Sequence, residues 1–359
     1  MSAILSNPPP TEVRDSPGLW ALAWRRLRHD RVGMVSLAIV AFFLALMTAS
    51  YLGLVASDWS KEKGVSYANP AFLAGSENLE AQSMARKGAA AKAPAVDLSD
   101  VDPLAPRYKE WEERAAKIAV TEVKRSDTLP LGGDKWGRDV LKKVVKGSEV
   151  SIFVGLTAAL LATIIGTVLG AMAGYWGRWV NDFLEWFYNI FTSIPYILLI
   201  LAFAAVAQAS GKFGKGIVPI VLILSLTGWT GVYRLIRAEY IKHSNREYVK
   251  AAQAIGASNM SRMFRHILPN VSHVSLVQLS QLTVGFIKAE VILSYLGLGV
   301  PVDQVSWGTM LADAQSELIL GYWWQLAAAT MFMAVFVTAF SLMADAWRDA
   351  LDPKLRSAD

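Results

Sequence analysis

The sequence predicts an all-α membrane protein with six transmembrane helices, and three observations support that class. The chain has 359 residues, of which 53% are hydrophobic and 18% charged. The apolar residues gather into runs at roughly 33–57, 150–176, 186–209, 216–233, 271–300 and 323–344. Most of these reach the ~20 residues a helix needs to cross a bilayer. The cations concentrate in alternate links between the runs, the asymmetry expected when positive charge is retained on the cytoplasmic side.

Residues 1–32 form a polar tail that ends in an interfacial helix. Trp20, Trp24 and Leu27 fall at i, i+4 and i+7, with Arg25, Arg26 and Arg28 elsewhere around the turn. The first span, 33–57, is too long and lacks the small-residue site of a cleaved signal peptide. A long extracytoplasmic insertion follows at 58–148. Within it Gln82 to Val96 reads as a flexible spacer and Tyr108 to Arg125 as a helix. From Leu131 to Lys146, Val144 and Val145 oppose Lys142, Lys143 and Lys146, the pattern of a second interfacial helix.

Five further spans occupy 149–346. In the second span of the chain, Gly166, Gly170 and Gly174 recur every four residues and give a flat ridge for a neighbouring helix. Pro195 interrupts the third span and predicts a kink. The link between the fourth and fifth spans, 237–270, is polar with helical signals of its own. Ala251, Ala252 and Ala254 give a short helix with a nearly side-chain-free face, Asn245 offers a cap before it, and Gly256 a left-handed stop after it. That surface fits a groove on a partner.

In the fifth span Gln278, Gln281, Gly285 and Lys288 fall within an arc of roughly 80°. Polar groups at this depth face protein or water, so the stripe is a candidate wall of a translocation path or a subunit interface. Glu290 lies on another face and is expected to pair across that interface. Leu293 to Pro301 and Ser306-Trp307-Gly308 read as a re-entrant or surface loop, and 347–359 as a polar tail.

Orientation follows from the short links. Arg14, Arg25, Arg26, Arg28 and Arg31 precede the first span, Arg178 lies between the second and third, Arg234, Arg237, Lys242, Arg246, Lys250, Arg262 and Arg265 surround the Ala-rich helix, and Arg348, Lys354 and Arg356 follow the last span. The links 209–216 and 301–322 carry only Lys212 and Lys215. Both termini and the 237–270 link are therefore expected in the cytoplasm, in a multi-pass protein of a lipid bilayer.

The net charge of +5 is accounted for by this topology, and no basic stripe interleaved with aromatics points to nucleic acid. The absence of cysteine excludes disulfides and thiolate chemistry. No Gly-x-x-x-x-Gly-Lys-Ser/Thr loop is present, and His29, His243, His266 and His273 are not at ligand spacing on any helix. The chain is expected to be non-catalytic and without a cofactor of its own.

Five stretches carry a family resemblance: the Arg-rich start, Gly137-Arg-Asp-Val140, the segment Tyr248-Val-Lys-Ala-Ala-Gln-Ala-Ile-Gly256 leading to Leu268-Pro269, Leu296-Gly-Leu-Gly-Val-Pro301, and Arg348-Asp-Ala-Leu-Asp-Pro353. Together the chain resembles the inner-membrane permease subunits of dipeptide, oligopeptide and nickel ABC importers, in the subunit type with one N-terminal helix before a five-helix core. The resemblance implies a coupling loop at Tyr248, Lys250, Ala251, Ala252, Ala254, Gly256, Leu268 and Pro269. It also implies a heterodimer with a second related permease, two cytoplasmic ATPases that carry ATP and Mg, a periplasmic solute-binding protein, and a bacterial inner membrane. Lys250 stands where most of the family has an acidic residue, and His266 where it has isoleucine. A basic residue there, with the long insertion, is similar to the microcin C and peptide branch. A nickel-chelate importer subunit is the alternative within the family. A proton-coupled secondary transporter using Glu290 and Lys288 is the alternative outside it, and the absence of an evident inverted repeat weighs against that.

Overall fold

The computed structural model describes residues 24–73, 105–116, 125–210, 216–301 and 303–351. Asp30 caps the first helix, α1 (Arg31–Tyr51), by accepting from Val32 N at 3.0 Å. Strand β1 (Gly64–Pro70), helix α2 (Ala105–Ala116) and strand β2 (Ser126–Leu129) belong to the insertion. The remaining helices are α3 (Val140–Trp176), α4 (Arg178–Thr192), α5 (Tyr196–Ser210), α6 (Val218–Gly228), α7 (Thr230–Ser244), α8 (Glu247–Ala254), α9 (Leu268–Tyr295), α10 (Trp307–Ile319) and α11 (Trp324–Leu351). A helical turn at Asn259–Ser261 and a π-helical turn at Arg262–Ile267 lead into α9 without a break.

Five stretches are long and apolar enough to cross a membrane: α1, α3, α6 with α7, the run Asn259–Tyr295, and α11. The pair α4 and α5, bent by 83° at their junction, makes a sixth when taken together as one broken span. Pro195 therefore marks a break between two helices rather than a kink within one. Its missing N–H and the restriction it places on Ile194 stop α4 before the chain turns.

Helix α3 is the central post, and its small residues set how closely α7 approaches. A Cβ on Gly166, Gly170 or Gly174 would lie 2.7 Å from Trp229 O, 2.7 Å from Tyr233 O and 2.6 Å from Arg237 O respectively. The four-residue repeat is thus a packing ridge. Helix α1 lies along α11, where Phe43 meets Phe332 and Phe336 at 5.9 and 5.3 Å between ring centres. Trp24 stacks on Trp347 at 6.2 Å, so α1 begins where α11 ends. Only the final turn of the expected N-terminal interfacial helix, from Trp24, falls among the described residues, and Trp20 lies outside them.

The second interfacial helix does not exist as a separate element. Asp139 caps α3 by accepting from Leu141 N at 2.9 Å, and the helix runs unbroken through Lys142, Lys143 and Lys146 into the span. Lys143 is buried rather than solvent-facing, held by one acceptor from the turn before the helix and two from the far end of the chain.

The root of the insertion is ordered by contacts the sequence does not announce. β1 and β2 pair in parallel, Gly64 opposite Ser126 and Pro70 opposite Leu129. Arg125 pairs with Glu62, and Tyr67 stacks on Tyr322 at 4.2 Å. Gly137, at φ +72°, turns its carbonyl to accept from both Lys63 N and Gly64 N. The helix expected from Tyr108 to Arg125 is found at Ala105–Ala116, and the 82–96 spacer lies outside the described residues. Helix α10 replaces the loop expected around Ser306-Trp307-Gly308: Ser306 and Thr309 form a reciprocal capping box and Trp307 is buried.

Candidate functional site

Helix α8 stands at the end of the bundle opposite the insertion, beside the C-terminal turn of α3. Tyr175 of α3 donates to Asn259 Oδ1 at 3.2 Å. Two residues root α8. Val249 and Ala252 are 3% and 4% exposed, and Val249 packs in a cluster with Met263 and Ile267 of the π turn and with Tyr240 and Val271. Tyr240 OH donates to Met263 O at 3.1 Å, which fixes the turn to α7.

The other side of α8 is open. Tyr248, Lys250, Ala251 and Ala254 are exposed, and so is Gly256, whose φ of +84° is the left-handed stop the sequence predicts. Ala252 does not share that face, because its place one residue after Ala251 turns it inward. Ile255, 84% exposed, takes its place as an apolar knob that sequence reading missed. The signal was an apolar residue directly before the helix-ending glycine. Asn245 does not cap α8: its amide donates to Ile241 O and closes α7 instead. Arg246 occupies the N-cap without a side-chain bond. Lys250 pairs with Glu247 at 3.0 Å in an exposed i, i+3 contact. Tyr248 OH lies 2.8 Å from His243 Nδ1, and partial burial raises its pKa.

Leu268 and Pro269 open α9 rather than lying in a loop. Pro269 cannot donate to the preceding turn, and the π-helical widening at Arg262–Ile267 absorbs that loss. Asn270 Nδ2 donates to His266 O at 2.7 Å across it.

On α9, Gln281, Gly285 and Lys288 are exposed and Gln278 is half-buried, with Gln278 Nε2 donating to Gln281 Oε1 at 3.1 Å. A Cβ on Gly285 would meet nothing within 4 Å. From Gln281 to Lys288 the stripe thus faces away from this chain's own helices, while Gln278 lies beside Gly231 of α7. Glu290 behaves differently from the expectation of a cross-interface pair. It is fully buried and accepts from Ser151 and Ser294 hydroxyls at 2.7 Å each. Those serines in turn accept from Trp307 N and Val300 N, so the carboxyl ties α3, α9 and the start of α10 together. Lys288 has no ion pair among the described residues and shares no bond with Glu290, which leaves no relay between them.

At the insertion end Lys143 Nζ donates to Asp134 at 3.0 Å, Asp313 at 3.1 Å and Gln325 at 3.0 Å. Glu317 lies behind this cluster, where one oxygen has no partner and the other accepts from Lys135 N at 3.4 Å. Burial pushes its pKa up to about 7 against the pull of Lys143. Asp58, by contrast, is held well below the usual carboxylate range by Lys142 and Lys63. No group of three His, Asp or Glu able to hold a metal occurs among the described residues.

The family described as binding-protein-dependent transport system inner membrane component matches residues 166–357, just over half the chain. A second, the N-terminal TM domain of oligopeptide transport permease C, matches residues 18–53. The chain is 34% identical over 226 residues to the dipeptide transport system permease protein DppC of Bacillus subtilis, covering 63% of this chain and 69% of that one. It is 32% identical over 252 residues to the oligopeptide transport system permease protein OppC of the same organism, covering 70% and 80%. A dipeptide transport system permease protein of Lactococcus lactis aligns at 28% identity over 336 residues, 92% of this chain and 90% of the relative.

Proposed function

The chain belongs to the inner membrane components of binding-protein-dependent transport systems, and from that premise we propose that it is a permease subunit importing di- and oligopeptides across a bacterial inner membrane. Its similarity to a dipeptide permease and an oligopeptide permease supports the substrate class. ATP is hydrolysed by partner subunits, since the sequence carries no phosphate-binding loop. The partners in this reading are a second related permease, two ATPases on the cytoplasmic side, and a solute-binding protein on the other. Both termini and α8 are cytoplasmic.

The observation that carries the reading is the outward-standing α8, rooted through Val249 in the π turn that leads into α9. Ala251, Ala254, Ile255 and Gly256 present a low surface with one apolar knob, which suits a groove on an ATPase. A displacement of α8 reaches the stripe of Gln278, Gln281, Gly285 and Lys288 through a single helical run. The stripe then lines a path shared with the second permease. Coupling requires that the ATPases grip α8 differently in their two nucleotide states.

Peptide uptake by vesicles carrying the assembled complex tests this. Uptake should need ATP and stop when it is depleted. Uptake that survives ATP depletion and collapses with the proton gradient would overturn the reading.

A further inference from the structure

A cavity of about 840 Å³ opens at the insertion end, where the root of the insertion meets α5, the end of α9 and α10. Its size falls in the range of small-molecule pockets, roughly 300–1,000 Å³. Arg138 and Trp59 line one part of it, and Gln208, Tyr295, Gln304 and Asp313 others. Tyr295 lies seven residues past Lys288 and so on the same face of α9, which brings the polar stripe to the mouth of the cavity.

The cations in this wall are not equivalent. Lys143 is consumed by Asp134, Asp313 and Gln325, and Asp313 also takes Lys135 at 3.6 Å. Arg138 differs. Its backbone is pinned on both sides, N to Asp134 Oδ1 at 3.0 Å and O from Asp134 N at 3.1 Å. Its guanidinium lies 5.7 Å over the Trp59 ring. Its Nε is buried with no hydrogen-bond partner, and the side chain makes no ion pair among the described residues. A buried charged donor left without an acceptor costs stability, and the planar guanidinium fork matches a carboxylate.

We propose that this cavity is a subsite for the free C-terminal carboxylate of the transported peptide, received by Arg138 with its guanidinium oriented by Trp59. The proposal rests on the peptide-importer reading and adds a recognition element within the permease itself. A terminal carboxylate enters with its charge unpaired and finds in Arg138 a half-buried guanidinium already oriented over Trp59. An amidated terminus offers only a neutral acceptor there.

Binding of radiolabelled trialanine and of its C-terminal amide, measured on the purified membrane complex in nanodiscs with the binding protein omitted, tests this. The wild type should bind the free acid about tenfold more tightly than the amide, the value of one charge-assisted contact. Arg138→Gln should shrink that ratio to about twofold or less, and Trp59→Leu should give an intermediate ratio. Using the ratio within each variant removes differences in expression or folded fraction. An unchanged ratio in both variants, equal binding of the two peptides by the wild type, or no binding of either would overturn the subsite. ATP-driven uptake by the full complex is scored separately. Arg138-dependent binding without ATP-driven uptake would sink the importer reading and spare the subsite, and uptake with an unchanged ratio would do the reverse.

Discussion

Lys143 and Asp134, nine residues apart, meet at 3.0 Å with 5% and 1% of their side chains exposed. Breaking such a pair from one side leaves a buried charge alone, which typically costs 3–5 kcal/mol. Lys143→Met should therefore lower the yield of folded protein and its melting temperature sharply. Adding Asp134→Asn to Lys143→Met should recover part of the loss. A single variant as stable as the wild type in thermal melts would show that the pair is not structural.

Glu317 gives the insertion end a pH dependence with a defined sign. Its pKa is raised from 4.5 to about 7, chiefly by burial. The folded state therefore binds more protons than the unfolded state between those values, and stability falls as pH rises through that window. The facing groups are Lys143, which opposes the shift, and Asp134 and Asp313, which add to it. Glu317→Gln should raise stability at pH 8 by on the order of 2 kcal/mol and change little at pH 4. Equal effects at the two pH values would assign the change to packing.

The open side of α8 can be mapped residue by residue, because the chain has no cysteine to remove first. Single cysteines at Ala251 and Ala254 should crosslink to an ATPase in native vesicles, and one at the buried Ala252 should not. Capture from Ala252 with none from its two neighbours would place the docking face on the wrong side.

Two substitutions at the tip of α8 should separate assembly from coupling. Ile255→Glu puts a charge where an 84% exposed apolar side chain enters the proposed groove and should weaken ATPase association about tenfold or more in pull-down titrations. Gly256→Arg meets no clash but forces a bulky residue into a left-handed turn at a cost of roughly 1–2 kcal/mol. That complex should assemble and lose ATP-dependent uptake. Normal uptake would argue against docking there.

The α3 and α7 contact leaves no room for a side chain at Gly170, where a Cβ would sit 2.7 Å from Tyr233 O. Gly170→Leu should abolish folded expression. Gly285→Ala, with open space around it, should leave expression unchanged. Equal expression of the two would contradict the packing.

Long apolar runs made the spans legible, because a bilayer imposes one length on every crossing. The glycine ridge and the left-handed Gly256 were legible for the same local reason: both depend on residues within one element. Lys143 was not. A lysine opposite two valines reads as solvated until Asp134, Asp313 and Gln325 arrive from three other segments. The pairing of β1 with β2 joins residues some sixty positions apart through short strands without alternation, and no window of sequence contains it. Ala252 and Ile255 exchanged roles because alanines carry no signal of which side of a short helix is inside. Helix α10 was hidden by its glycine and its serine–threonine cap, which lacks the glutamate or glutamine of the usual signature.

The parallel clasp of β1 on β2, with Glu62 and Arg125 beside its Gly64 and Ser126 end, anchors both ends of the intervening chain on one small sheet. The chain that leaves at Pro70 must return to Ser126, opposite Gly64 at the start of β1, and lengthening that crossover adds only a logarithmic entropy term. That part of the gene is free to drift, shrink or acquire new modules while the helical machinery beneath it stays untouched. Evolution is given a socket there, and protein engineers are given a site for grafting reporters or affinity handles.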